Sequence, residues 1–530
     1  MKKRRKIILA VTAILTFIMI ISVVYYTRIE MTIADLGAHP FRIGITDNIA
    51  SVHPALISND GEKMLGSMIY EGLVYYDDAA QEIKPNLAKK WKTSKDFTQY
   101  IIYVNNQIKL HNGQNITSWT VKQSWEKNLI RSNDWAAVSL YKDIQGFTER
   151  IQGQSNEITG VQVLDNERLQ VVLNAPNTVF MNMLTNPIFW IFGEDETTGT
   201  GPFIVQNNPD NKNIVLARNE EYHRKKPCLS TIEMTVYNDQ NQAWQDYREG
   251  RLDLITDVPL SELENNLEDE NFKKRAVNKP LLTIYALGYN MAQVPFRDNY
   301  YLRRAFNYAI NREEIIKKVF GDNALPLKGV IPQGIPGYDE NIPGYSYNLE
   351  KAAALMSEAG YPQGEGLPTI TLCFNDNSGQ RMIAEMASEQ LSSVGVKINL
   401  LPLDWETYKK QMQKFNMTFF RLEWQLDYND ADSIMYNLFH SSKAGMTNFN
   451  NYYNAQVDKL LNDSRGYTNK ENRLSALNKA EMVVIDDAPY LWILQRKSNI
   501  MLGEDVKEFY MDGLSIIDWT KIKLHGSDAM

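Results

Sequence analysis

The sequence predicts an α/β protein, and three observations carry that expectation. Residues 97–173 are dense in β-branched and aromatic runs, the second half alternates helix and strand patterns, and a long uncharged run at the N-terminus stands apart from both. At roughly 150 residues per domain, the 530 residues allow three or four domains. Hydrophobic residues at 44% and charged ones at 23% exclude a disordered or fibrous chain.

In chain order, five cations (Lys2, Lys3, Arg4, Arg5, Lys6) precede Ile7–Tyr26, twenty residues without a charge. At about 1.5 Å per residue such a helix spans the roughly 30 Å hydrocarbon layer. The basic flank predicts a cytoplasmic N-terminus and an exported body. Val23-Val24-Tyr25-Tyr26 offers no small-residue cleavage pattern and no Cys follows, so an uncleaved anchor over residues 1–30 is favoured over a cleaved signal.

Phe97–Val104 reads as a strand, and 161–164 with 169–173 as a hairpin about Asp165-Asn166. Gly199–Phe203 marks a turn before a strand at 214–217. Asn311 has N-cap spacing to Glu314 and opens a helix that stops at Gly321, and the pattern recurs from Asn348 to Gly360. The Pro/Gly-rich stretch 329–343 between them predicts an extended loop. Strands at 369–374 and 396–401 flank a helix at about 380–394, an order that predicts a mostly parallel sheet.

The formal net charge is −8, and −13 without the five N-terminal cations. An acidic body repels phosphate backbones, which argues against a nucleic-acid partner. Two cysteines, Cys228 and Cys373, exclude a disulfide scaffold, and the six histidines stand at least 14 residues apart, without a metal-binding spacing. No phosphate loop or nucleophile elbow is present. An exported acidic body rich in Trp and Tyr, without catalytic signatures, points to binding rather than turnover, with no cofactor.

Several segments in order resemble the solute-binding proteins of peptide ABC importers, a family that also holds dipeptide, nickel and heme binders. They are IYEGLVYYDDAAQEIKPNLAKKW (69–91), HNGQNITSWTVKQSWE (111–126), GTGPF (199–203) and LARNEEYHRKKPCLSTIEM (216–234). REGRLDLI (248–255), VPFRDNYYLRRAFNYAINREEI (294–315), NLEKAAALMSEAGY (348–361) and LDWETYKKQMQKFNMTFFRLEWQLDYNDADS (403–433) follow. The oligopeptide-binding branch is the most similar. The resemblance implies a type II periplasmic-binding-protein-like two-lobed clamp with ligand held between the lobes. Lobe I would comprise 36–75, 190–257 and 498–530, a strand-rich insert 76–189, and lobe II 258–497.

The same resemblance implies the site. Asp427 matches the carboxylate that holds a peptide's ammonium; the alternative is a loop cap. Arg421 matches the arginine that meets the peptide's carboxylate, and a planar guanidinium suits that bidentate task; the alternative is a structural salt bridge. Six residues of extended chain place the two about 20 Å apart. Trp424, Gln425 and Leu426 would pair with the peptide backbone as an added strand. Trp405 and Trp424 would wall side-chain pockets, or else belong to the core, and Met64 would touch ligand from lobe I. Ala431, Gln293 and Gln380 depart from the family's usual proline, lysine and histidine. The implied partners are a peptide, ABC permease subunits and, through residues 7–26, the membrane, with the body a monomer on the extracytoplasmic face. A nickel chelate or heme ligand, or a membrane-anchored peptide sensor, are the rival expectations.

Overall fold

A computed structural model describes residues 39–207, 212–266, 268–321 and 323–525. The expected anchor at 7–26 lies outside the described residues, and among those no helix is long and apolar enough to cross a membrane.

Side-chain alternation decides how the larger lobe stacks. Along Pro280–Tyr289, Leu282, Ile284 and Ala286 enter one core while Tyr285, Leu287 and Tyr289 enter another, as the two-residue period of a strand requires. A strand apolar on both faces must be covered on both, and this one lies inside a six-stranded sheet. Its order is Ala324–Pro326, Tyr490–Lys497, Pro280–Tyr289, Phe419–Gln425, Ile370–Asn375, Ile398–Leu403.

The strand–helix–strand unit read from the sequence is present as Ile370–Asn375, Ser378–Ser392 and Ile398–Leu403, with its strands parallel. The sheet as a whole is mixed, which corrects the expectation of a mostly parallel one. Ile370–Asn375 is parallel to both neighbours, whereas the other three pairings are antiparallel. The cause is topological: the chain enters this lobe along Pro280–Tyr289 and leaves along Tyr490–Lys497, at one end, so the two strands run in opposite directions. The helix Arg312–Phe320 has Asn311 as its cap, accepting from the Glu314 amide at 3.2 Å, and ends on Gly321 at φ 51°. Leu349–Glu358 is capped by Asn348, which accepts from the Lys351 amide at 2.9 Å.

The smaller lobe holds a seven-stranded sheet ordered Ala276–Val277, Ile500–Leu502, Leu254–Thr256, Phe41–Ile45, Thr231–Val236, Asn213–Arg218, Phe203–Asn207. Phe41–Ile45 is parallel to both its neighbours and sits in the core with Ile232, Met234 and Leu254. This sheet keeps the chain as far as Val277, past the boundary at 257/258 expected from sequence.

Two crossings join the lobes, between Val277 and Pro280 and between Lys497 and Ile500. They are tied together: the Ser498 amide donates to the Lys279 carbonyl at 2.8 Å, the Lys279 amide to Ser498 Oγ at 2.9 Å, and Ser498 Oγ to the Val277 carbonyl. These two short bonded segments connect the two sheets.

The segment between the lobe I pieces forms an antiparallel sheet of Ala88–Thr93, Gln99–Val104, Arg168–Val172 and Val161–Val163. Its own core gathers Tyr100, Ile102, Val104, Leu169 and Val171 against Trp125 of the helix Ser118–Arg131. Strands read from 97–104 and 161–173 are thus present, though the segment carries substantial helix as well.

Candidate ligand-binding cleft

The lobes and the inserted unit converge on a cleft of about 590 Å³. Lobe I supplies Pro54, Ile57, Lys63 and Leu514, the inserted unit Asp134, Trp135 and Pro187, and lobe II Trp405, Tyr408 and the run Arg421, Glu423, Trp424, Gln425, Leu426, Asp427.

Asp427 lies just beyond the strand Phe419–Gln425, in a loop that turns into the helix Ala431–Phe439. Asp430 caps that helix by accepting from the Asp432 amide at 2.9 Å. Two arginines brace the loop: Arg473 donates to both oxygens of Asp430 at 2.8 and 2.6 Å, and Arg465 to Asp432 at 2.7–3.1 Å. Ala431 occupies the first helical position, whose amide has no helical partner in any case, so the helix loses no bond for want of the expected proline.

So held, Asp427 is buried at 8% exposure. Its Oδ2 accepts from Asn437 Nδ2 at 2.7 Å, and its backbone is fixed by bonds to Ser433 Oγ and Asn186 Nδ2 at 2.7 and 3.0 Å. It caps no turn. No cation of the described residues is within ion-pair distance of it. Burial, and then the nearby charge of Asp134, push its pKa up to about 7. A buried carboxylate without a counter-charge is costly, and an incoming cation removes that cost.

Arg421 is buried at 7% exposure on the same strand. It faces Glu423, two positions on and therefore on the same face, and donates to it. Glu423 also accepts from Arg496 at 2.9 Å. Burial opposes ionisation of Glu423, but the two guanidinium groups outweigh it and hold its pKa below the usual range. Arg421 lines the cleft, whereas Arg496 also lies in the field of Asp257 and Asp60. Gln380 accepts from Arg421 Nε at 3.3 Å, whereas Gln293 binds Thr418 and the Asn416 carbonyl away from the cleft.

Trp424 belongs to the lobe II core at 6% exposure and also lines the cleft, packing edge-on against Phe449 at 6.1 Å; its Nε1 has no hydrogen-bond partner. Trp405 is half exposed and stacks on Tyr408 at 6.3 Å. Gln425 accepts from Lys63 Nζ across the cleft, and the Leu426 amide is committed to the Leu282 carbonyl at 2.8 Å.

Met64 is the correction. It is 3% exposed and packs in the lobe I core with Leu65, Met68 and Ile43. One residue earlier, Lys63 reaches the cleft, since successive residues on the helix Asp60–Ile69 point about 100° apart. Sequence reasoning also missed Asp134 and Trp135; the only local signal was an Asp with N-cap spacing before a short apolar run.

The strand Phe419–Gln425 has a ladder partner along Thr283–Tyr289 on one side. On the other, pairing with Ile370–Asn375 stops at Cys373 opposite Phe420. Leu422 to Gln425 therefore present one edge without a strand.

Comparison with known proteins agrees with this architecture. Residues 82–446 match the family described as bacterial extracellular solute-binding proteins, family 5. The chain is 26% identical over 488 residues to heme-binding protein A of Haemophilus influenzae, covering 86% of this chain and 87% of that protein. It is 26% identical over 502 residues to the oligopeptide-binding protein OppA of Bacillus subtilis, covering 90% and 91%. Among solved structures, the periplasmic binding protein DppA of Helicobacter pylori in complex with the peptide STSA aligns with a TM-score of 0.75 at 22% identity, over 92% of this chain and 98% of that one. The type II periplasmic-binding fold follows from these structural neighbours.

Proposed function

The chain belongs to the bacterial extracellular solute-binding proteins of family 5, and on that premise we propose that it is the extracytoplasmic peptide-capturing component of an ABC importer. The observation that supports the reading is Asp427: a buried carboxylate, lining the cleft, without an ion-pair partner among the described residues. A peptide's ammonium supplies that charge through a charge-assisted hydrogen bond, about twice as strong as a neutral one. Arg421, which shares Glu423 with Arg496, would receive the peptide's carboxylate, with Gln380 beside it. The open edge from Leu422 to Gln425 would take the peptide backbone as an added strand, which gives affinity without reading sequence. Trp405 and Trp424 would wall the side-chain pockets, and the unpartnered Trp424 Nε1 would donate to a ligand carbonyl.

In this reading the chain makes and breaks no bond. It closes on ligand about the Val277–Pro280 and Lys497–Ile500 crossings, because the closed form makes ligand contacts that the open form lacks. Residues 7–26 would tether it, as a monomer, beside the membrane permease subunits, and ATP hydrolysis would belong to a partner.

Native mass spectrometry of the purified protein, followed by titration with the released ligand, tests the assignment. The expected result is a bound peptide whose N-acetylated form no longer binds. A bound heme or nickel chelate in its place, displaced by no peptide, overturns it.

A further inference from the structure

The loop that carries Asp427 belongs to lobe II, yet the inserted unit grips it at three points. Asn186 Nδ2 donates to the Asp427 carbonyl at 3.0 Å. Tyr428, the next residue, is fully buried in the core of the inserted unit, the core that also holds Phe180, Met183 and Leu184. Its hydroxyl donates to Asp432 at 2.6 Å. Arg465 donates to that same carboxylate at 2.7 Å and, with its other terminal nitrogen, to Asp143 of the inserted unit at 2.8 Å.

This last bridge is built, not incidental. Arg465 and Asp432 are buried, and the Asp143 side chain is 16% exposed. Salt screens a pair so enclosed very little. Asn177 Nδ2 holds the same Asp143 oxygen at 2.9 Å, and the Thr178 amide donates to the Arg465 carbonyl at 2.9 Å.

The inserted unit leaves and rejoins the chain within lobe I and is bonded to it. Ser124 Oγ donates to the Phe192 carbonyl at 3.1 Å, and the His111 amide to the Gly199 carbonyl at 2.8 Å. The three grips therefore run between a unit that goes with lobe I and a loop that goes with lobe II. Parting the lobes about the two crossings would break them, and the loop would lose bonds that set its path. A hydrogen bond is strong over a narrow range of distance and angle, so a carboxylate on a loop depends on that path.

We propose that the inserted unit positions Asp427, with Arg465 as the positioning residue that ties Asp432 to Asp143, so that the site for a ligand's amino end is complete only when this unit is docked on lobe II. The inference rests on the peptide reading above and adds what assembles that end of the site. An ammonium then binds the docked form better than the parted one and favours closure by that difference. A carboxylate at Arg421 draws no such distinction, because Arg421 and Glu423 share one strand of lobe II.

Calorimetry on the ligand-stripped full chain with Ala-Ala-Ala-Ala, its N-acetylated form and its C-terminal amide tests it. Wild type should prefer the free ammonium over the N-acetylated form by at least about thirtyfold. Asp143 lies outside the cleft lining. Asp143→Asn should nonetheless cut that preference about tenfold, while the preference for the free carboxylate over its amide stays within about twofold of wild type. Asp143→Glu, which keeps the charge, should retain most of the ammonium preference. Should Asp143→Asn fail to fold, Arg465→Lys carries the same expectation, since a point charge cannot replace a fork that serves two carboxylates. An ammonium preference unchanged in the variant, both preferences falling together, or an equal loss in Asp143→Glu overturns the inference. If wild type itself shows no preference for the free ammonium, the peptide reading falls, and the inference with it.

Discussion

Arg421 and Glu423 stand two positions apart on one strand and meet as an ion pair on its cleft-facing side, with Arg496 closing on the same carboxylate at 2.9 Å. A guanidinium that sequence offers as a free receptor for a carboxylate is thus partly answered from within the fold. Arg421 is the guanidinium that lines the cleft, where a ligand would meet it.

That arrangement predicts opposite effects for its two members. Arg421→Gln should abolish the affinity difference between a peptide and its C-terminal amide. Glu423→Gln should widen it, because the Arg421 guanidinium then faces the ligand without that carboxylate beside it. Removing one partner of a buried pair costs roughly 3–5 kcal/mol, so both variants should melt earlier. Calorimetry with the amide pair decides; an unchanged difference in Arg421→Gln removes Arg421 from the ligand's carboxylate.

Asp427 should set the pH dependence. Its pKa rises from 3.8 to about 7 on folding, so the folded state holds the proton more tightly than the unfolded one. The ligand-free protein therefore loses stability as pH rises through that window, and the deficit stays constant above it. Asp427→Asn should melt above wild type at pH ~8 and converge with it near pH ~4. Binding runs the other way: an ammonium needs the ionised carboxylate, so affinity should fall by up to about tenfold per pH unit below 7. The same variant should lose roughly 2–5 kcal/mol of peptide binding. Wild-type affinity that is flat from pH 5 to 8 would sink the ammonium role.

The crossings between the lobes carry their own test. Ser498 Oγ accepts from the Lys279 amide and donates to the Val277 carbonyl, and Ser498→Ala leaves both groups without that partner. The expected loss is about 1–3 kcal/mol, together with faster hydrogen exchange at residue 279. Exchange unchanged from wild type would show that backbone pairing alone holds the crossings.

Lys63 bridges the lobes through Gln425 while its other bonds, to the Leu514 carbonyl at 3.1 Å and Asp60 at 3.5 Å, stay inside lobe I. Lys63→Met should shift the ligand-free protein toward more open forms, read as a larger radius of gyration in solution scattering. An unchanged radius would mean the bridge holds only its own side chain.

Local rules were enough for the parts of this protein that local forces build. The caps Asn311 and Asn348 and the hairpin at 161–173 could be read from spacing, because each is fixed by neighbours a few residues away, and the strand at 97–104 and the strand–helix–strand order about 380–394 from their residue patterns. Resemblance located the strand bearing Arg421 and Asp427. What tertiary structure decided was the company those residues keep. Sheet direction followed from where the chain crosses between lobes, not from the order of its elements. The placing of Asp134 and Asp427 on one cleft, the choice of Lys63 over Met64, and the partial neutralisation of Arg421 by Glu423 depend on positions in space that sequence distance does not encode. Electrostatic energy falls with distance and with exposure to water, and both are properties of the folded surface alone.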